Sequence, residues 1–192
     1  MTIFEIFRSI ELKLFVHQLK KEIIYFGKGS QIKLPLRISG HKNIYIGNNV
    51  IIGCKIWLTV RNENNPDAIL TISDGCRIGN FNHIYATHSI IIENDVLTAD
   101  KVYISDNSHN YDKVDIPIYK QAIIQKNDVT IGEGSWIGEN VCIIGAKIGK
   151  HCVIGANSVV LNDIPDCCVA AGSPAKIVKK YDKKTNSWIK YK

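Results

Sequence analysis

From position 72 to 102 every sixth residue is β-branched: Ile72, Ile78, Ile84, Ile90, Val96 and Val102. A helix repeats every 3.6 residues or so and a strand every two, so a sustained period of six fits neither. It is the period of a hexapeptide β-helix, in which each hexad gives one short strand and one corner. The aliphatic residue and the one two before it point inward. Polar residues with Gly or Asn turn the corner, and three hexads close a triangular coil. Coils stack at sheet spacing, roughly 4.8 Å apart. The chain is therefore expected to be an all-β solenoid.

The 192 residues suit one domain with a sizeable core. Hydrophobic residues make up 45% and charged residues 22%, the balance of a soluble globular protein. No apolar run approaches the roughly 18 residues that span a bilayer. The N-terminus carries Glu5 and Glu11 and lacks a small-residue cleavage site, so no signal peptide is expected. The six cysteines are scattered, and none forms a CxxC pair, which argues for reduced cytosolic thiols and against structural zinc. Much of the +6 net charge sits at the end, at Lys176, Lys179, Lys180, Lys183, Lys184, Lys190 and Lys192. These lysines carry no aromatic-interleaved platform, so nucleic acid is not an expected partner.

Residues 2 to about 26 read as an amphipathic helix with Phe4, Phe7, Ile10 and Leu14 on its apolar side. Gly27 and Gly29 are expected to stop it. That side is expected to pack on the base of the solenoid or on a neighbouring subunit, with attachment to a membrane surface as the alternative. Hexads begin near Ile38 and place Ile46, Ile52 and Leu58 inward, with Ile44, Val50 and Ile56 as partners. Leu58 to Ile72 is fourteen residues rather than twelve, and the Asn, Pro and Asp clustered there predict a loop protruding at a corner. After Val102 the period stops over a polar excursion, 105–125, then resumes with Ile131, Ile137, Ile143, Ile148, Ile154 and Val160. About fifteen hexads give roughly five coils. The expected organisation is an N-terminal helix over 1–27, the solenoid over 28–165, and a cap and tail over 166–192. Pro174 is expected to open a short helix, and the last dozen residues to fold back as a strand or ordered tail.

Three stretches then carry a resemblance: SWIGENVCI (135–143), IGANSVVLNDIP (154–165) and AAGSPAKIVKK (170–180). With the hexads, they make residues 40 to 180 similar to the left-handed parallel β-helix acyltransferases of hexapeptide repeats. The likeness is to the sugar O-acetyltransferases of the maltose, galactoside and polysaccharide-modifying group. The resemblance implies acetyl-CoA as acyl donor, no required metal, a cytoplasmic homotrimer, and active sites shared between adjacent subunits. The acceptor it implies is a sugar or polysaccharide precursor. A serine or antibiotic acceptor, a zinc hydratase on the same fold and a non-catalytic scaffold are the alternatives.

His109 lies in the excursion, where the resemblance places a catalytic histidine. Taking a proton from a hydroxyl that attacks a thioester calls for a group titrating near neutrality, and imidazole does so. Asp106, Asp112, Asp115 or a backbone carbonyl could orient the ring. His83, His88 and His109 together resemble the three-histidine zinc site of γ-class carbonic anhydrases. Against this, His88 stands two before Ile90, which the register makes an inward position.

For coenzyme A, the resemblance points to Trp136, Gly138, Ala156, Gly172, Pro174, Lys176 and Lys179. The small residues would leave room for the pantetheine arm, and the lysines suit phosphates. Corner geometry alone also explains the glycines. Leu161-Asn162 departs from the Thr-Lys that relatives commonly carry before Asp-Ile-Pro. For the acceptor, Asn82, Asp106 and Asn110 are the candidates. Asn82 reads equally as an inward structural ladder. No cysteine sits beside His109, so an acyl-cysteine route has no support.

Overall fold

A computed structural model describes residues 2–61 and 65–191, with the side chains of Ile3 and Phe4 outside the description. The polypeptide winds as a three-sided parallel β-helix. One face pairs Tyr25–Phe26, Ile44–Ile46, Ile69–Ile72, Ser89–Ile92, Val129–Ile131 and Lys147–Ile148 in that order. The second face pairs Gln31–Ile32, Ile51–Ile52, Arg77–Ile78, Leu97–Thr98, Trp136–Ile137, Val153–Ile154 and Cys168–Gly172. It is then extended by two antiparallel strands, Ala175–Asp182 and Ser187–Lys190. Arg37–Ser39, Trp57–Val60, His83–Ala86, Tyr103–Ser105, Cys142–Ile144 and Val159–Val160 make the third face.

The aliphatic column is the core. Ile72, Ile84, Ile90 and Val96 are fully buried, and so are Ile131, Ile137 and Ile143 beyond the excursion. Each such side chain contributes about 2 kcal/mol of burial. Corners bend through left-handed backbone at Asn49, Phe81, Asp95, Lys101, Asn140 and Asn157. Side chains there cross-link successive coils. Asn80 Nδ2 donates to Asp100 at 3.1 Å, and hydrogen bonds from Asn80 hold the Asp100 carboxyl below the usual carboxylate range.

Four sequence expectations about the fold need correction. The helix spans Ile3–Glu22, opened by a capping box between Thr2 and Glu5, and ends before residue 26. Ile23, Ile24, Tyr25 and Phe26 are β-branched or aromatic, and Tyr25 pairs with Tyr45 instead. The solenoid thus begins a coil earlier than Ile38, and the first and third faces carry six parallel strands and the second seven, rather than five. Phe7, Ile10 and Leu14 are exposed. The helix docks through Leu19 and Ile23, which are buried, with Phe15 and Val16 against them. Phe4 falls outside the described side chains.

The expected C-terminal helix is a strand. Ala175, Ile177 and Lys179 alternate with Lys176, Val178 and Lys180, and this period of two lets Ala175 and Ile177 pack on the core. The excursion over 105–125 is a hairpin, in which Asn107–His109 pairs antiparallel with Ile123–Gln125. Among the described residues, no helix is long and apolar enough to cross a membrane.

Candidate active site

The chain turns from the third face to the first at one corner, and that corner is built unequally from coil to coil. Val60 and Ile69 are separated by residues 61–68, Ala86 and Ser89 by Thr87 and His88 alone, and Ser105 and Val129 by the excursion. A tight corner between two long ones leaves a notch. Residues 62–64 of the lower loop lie outside the described residues. The notch is a cavity of about 640 Å³. Thr87 and His88 form its back, Arg61 and Asn65 lie on one side, and His109, Tyr119, Gln121 and Gln125 on the other.

His109 is exposed at the end of its strand, facing Ile123 across the hairpin. Next to it, the Asn110 amide donates to Ala122 at 3.0 Å. The hairpin is fastened to the solenoid by Asp106, which is fully buried. Its carboxylate accepts from the Thr87 amide at 2.8 Å, the His88 amide at 2.7 Å and Asn107 Nδ2 at 3.0 Å. Asp106 is thus an anchor that cannot reach an acceptor, contrary to the sequence expectation, and its oxygens are engaged away from the His109 ring. Asn82 is likewise interior, donating to Thr98 Oγ1 at 2.6 Å and accepting from the Val102 amide at 2.6 Å. It is the structural ladder, not a sugar contact. Asn110 is half-buried, and its Oδ1 accepts from the Asp112 amide at 2.9 Å. Neither it nor Asp112 nor Asp115 lines the cavity.

His88 is not inward. Ala86 takes the buried position at the end of a four-residue strand, which leaves His88 exposed on the corner. Its Nδ1 lies 2.6 Å from Asp128 Oδ1. Sequence reasoning missed this pair, although the register contains it. Ile90 and Val129 both stand two before an inward isoleucine and are partners, so Asp128 had to stack on the corner after His88. Among the described residues, no three His, Cys, Asp or Glu side chains gather as a metal cluster.

The residues expected to hold coenzyme A lie elsewhere on the solenoid. Trp136 is exposed on the second face between Leu97 and Val153. Lys176 and Lys179 are exposed on the strand beyond it, facing Ala171 and Val169. Gly138 and Ala156 sit at the corner between the second and third faces. A Cβ at Gly138 would stand 2.7 Å from the Ala156 amide nitrogen, so coil stacking by itself demands glycine there. Gly172 has a φ of +106° and its amide donates to Ser158 Oγ at 3.0 Å. Pro174 is exposed in the turn that follows. None of these seven lines the cavity of His109.

No protein-family model matches the chain. It is 35% identical over 166 residues to an Escherichia coli (strain K12) protein named as a lipopolysaccharide biosynthesis O-acetyl transferase, covering 83% of each chain. The chain belongs to the hexapeptide-repeat acyltransferases, in their O-acetyltransferase branch. To the galactoside O-acetyltransferase of E. coli (strain K12) it is 30% identical over 163 residues, covering 84% of this chain and 66% of the relative. The fold alone is shared with an N-acyltransferase from Bacillus cereus, at a TM-score of 0.70 and 20% identity over 88% of this chain and 89% of the other. The hexapeptide-repeat acyltransferase fold here is the left-handed β-helix.

Proposed function

We propose that this acyltransferase moves the acetyl group of acetyl-CoA to a sugar hydroxyl, with His109 as general base. The observation that carries the reading is the cavity itself. His109 faces a notch walled by polar side chains (Asn65, Thr87, Gln121, Gln125), the guanidinium-bearing Arg61 and the exposed ring of Tyr119. Such a lining offers hydrogen bonds and an apolar face, which is what a sugar presents in return. The names of the two E. coli relatives point the same way.

In the ternary complex the His109 imidazole takes the proton of the acceptor hydroxyl as its oxygen attacks the thioester carbonyl carbon. The carbonyl oxygen becomes the oxyanion, met by a backbone amide or water. Collapse re-forms the carbonyl and breaks the C–S bond, and the imidazolium returns its proton to the departing thiolate. The products are the acetyl ester and free coenzyme A. A positioned base of this kind is worth about 10²- to 10⁴-fold in rate.

The third face separates the His109 corner from the Trp136 corner, so one chain does not set base and donor groove side by side. A homotrimer with its third faces toward the axis would bring the His109 corner of one copy to the Trp136 corner of the next. The third face suits such burial. Arg37 lies 5.5 Å over the Trp57 ring, which stacks on His83 at 4.4 Å, with Tyr103 at 5.2 Å beyond. In this reading Trp136 and Gly138 line the groove for the pantetheine arm, and Lys176 and Lys179 take phosphates. In this reading the reaction draws on cytoplasmic acetyl-CoA. The test is thiol release from acetyl-CoA across a panel of free and glycosidic sugars. Sugar-dependent release supports the reading, and release indifferent to every sugar overturns it.

A further inference from the structure

Two imidazoles line the cavity, and proton abstraction uses one of them. The other, His88, also lines a second and smaller cavity beside Asp128, while Asp128 lines only the second. The His88 side chain therefore borders both cavities, with its Nδ1 edge toward Asp128 at 2.6 Å. An ionised carboxylate only accepts hydrogen bonds, so Nδ1 carries the proton. In the neutral ring, Nε2 then offers a lone pair to the cavity.

The corner beneath the ring is held from several sides. The His88 amide is bound by Asp106 Oδ2 at 2.7 Å, and the Thr87 hydroxyl donates to Gln125 Oε1 at 2.7 Å. Asp106 and Gln125 flank the hairpin strands that carry His109. The two imidazoles thus face one space from parts fastened to each other. A rigid second acceptor beside a general base has a use when the substrate carries a hydroxyl next to the reacting one.

We infer that His88, oriented by Asp128, is an acceptor-binding residue whose Nε2 receives a hydrogen bond from a second hydroxyl of the acceptor while His109 deprotonates the first. The acceptor class is then a polyol that presents two hydroxyls to one cavity, as a saccharide does. A simple alcohol engages one imidazole only. This rests on the acetyl-transfer reading above.

The test separates the two edges of the ring. In His88→Gln an amide oxygen stands about where Nε2 lay, and in His88→Asn an amide nitrogen stands about where Nδ1 lay. Steady-state thiol release is measured for the parent, both variants and His88→Ala, using the sugar of the panel with the highest rate and its singly deoxygenated analogues. For His88→Ala and His88→Asn the acceptor KM is expected to rise about tenfold or more, the worth of one hydrogen bond. His88→Gln is expected to stay within about threefold of the parent. KM for acetyl-CoA should be unchanged throughout, and one deoxy analogue should lose its penalty in His88→Ala. Rescue by Asn but not Gln would reduce the pair to a brace of the corner and overturn the inference. Unchanged acceptor KM in all three variants would overturn it too. Failure of the parent with every sugar would instead overturn the transfer reading, and this inference with it.

Discussion

The carboxylate of Asp106 accepts the backbone amide of His88 at 2.7 Å, and with the Thr87 amide on the same carboxylate it ties the corner of one coil to the hairpin that leaves the next. Asp106 is three residues before His109 in sequence, yet its work is to receive main-chain donors from the coil below. A base on an excursion loop needs such a fastening, because loops without buried contacts open at little cost. The fastening sets the first prediction.

Asp106→Ala strips partners from the Thr87 and His88 amides and removes the buried carboxylate they hold, at about 3 kcal/mol in all. The thermal midpoint is expected to fall by about 6 °C or more, with transfer activity lost even where the protein remains folded. Calorimetry beside thiol release checks both. An unchanged midpoint would contradict the anchoring role.

Asn82→Ala removes a side chain that satisfies Thr98 and Val102 inside the coil. Stability is expected to drop by about 2 kcal/mol in urea unfolding, while the acceptor KM stays at the parental value. A selective rise in that KM without destabilisation would return Asn82 to the substrate site.

These two residues show what the sequence could and could not say. The aliphatic period placed the inward residues from Ile46 to Val160, because burial on one side of a strand is a local pattern. It could not separate Asn82 the ladder from Asn82 the ligand, since both uses take the same side chain at the same spacing. His88 was misplaced because the strand ending at Ala86 is longer than a standard hexad allows, so the corner shifts outward. The His88–Asp128 pair joins residues forty positions apart, and only a register carried across the excursion reveals it. The strand Tyr25–Phe26 lay outside the expected solenoid because its two residues are aromatic and carry none of the aliphatic column, which reaches back only to the buried Ile32.

His83 gives a pH dependence with a definite sign. Burial lowers its pKa from the ordinary value, and among the described residues its Nε2 is buried without a hydrogen-bond partner. Between the folded and unfolded pKa values the unfolded chain binds more protons, so stability rises with pH through that window. The cost is absent above about pH 6.5 and grows as pH falls below it. Urea unfolding at pH 7.5 and pH 5.5 should show a smaller difference for His83→Phe than for the parent. An equal difference would contradict this assignment.

Complementation tests the shared site. His109→Ala spoils the corner with the base and Trp136→Glu the donor groove, each in a different part of the fold. If a site takes its base from one copy and its groove from the next, a mixed assembly rebuilds intact sites. Co-refolding the two inactive variants in equal amounts is expected to restore about a quarter of parental activity, the chance that one interface draws a sound half from each. No recovery, with mixed assemblies shown to form, would place both halves within one chain.

The most direct test of the central claim is sugar-dependent thiol release from acetyl-CoA by the parent and by His109→Ala, with coenzyme A binding measured on both. Loss of a general base is expected to lower kcat by about 10²- to 10⁴-fold while coenzyme A binds the variant as it binds the parent. Equal rates in the two proteins would contradict the account.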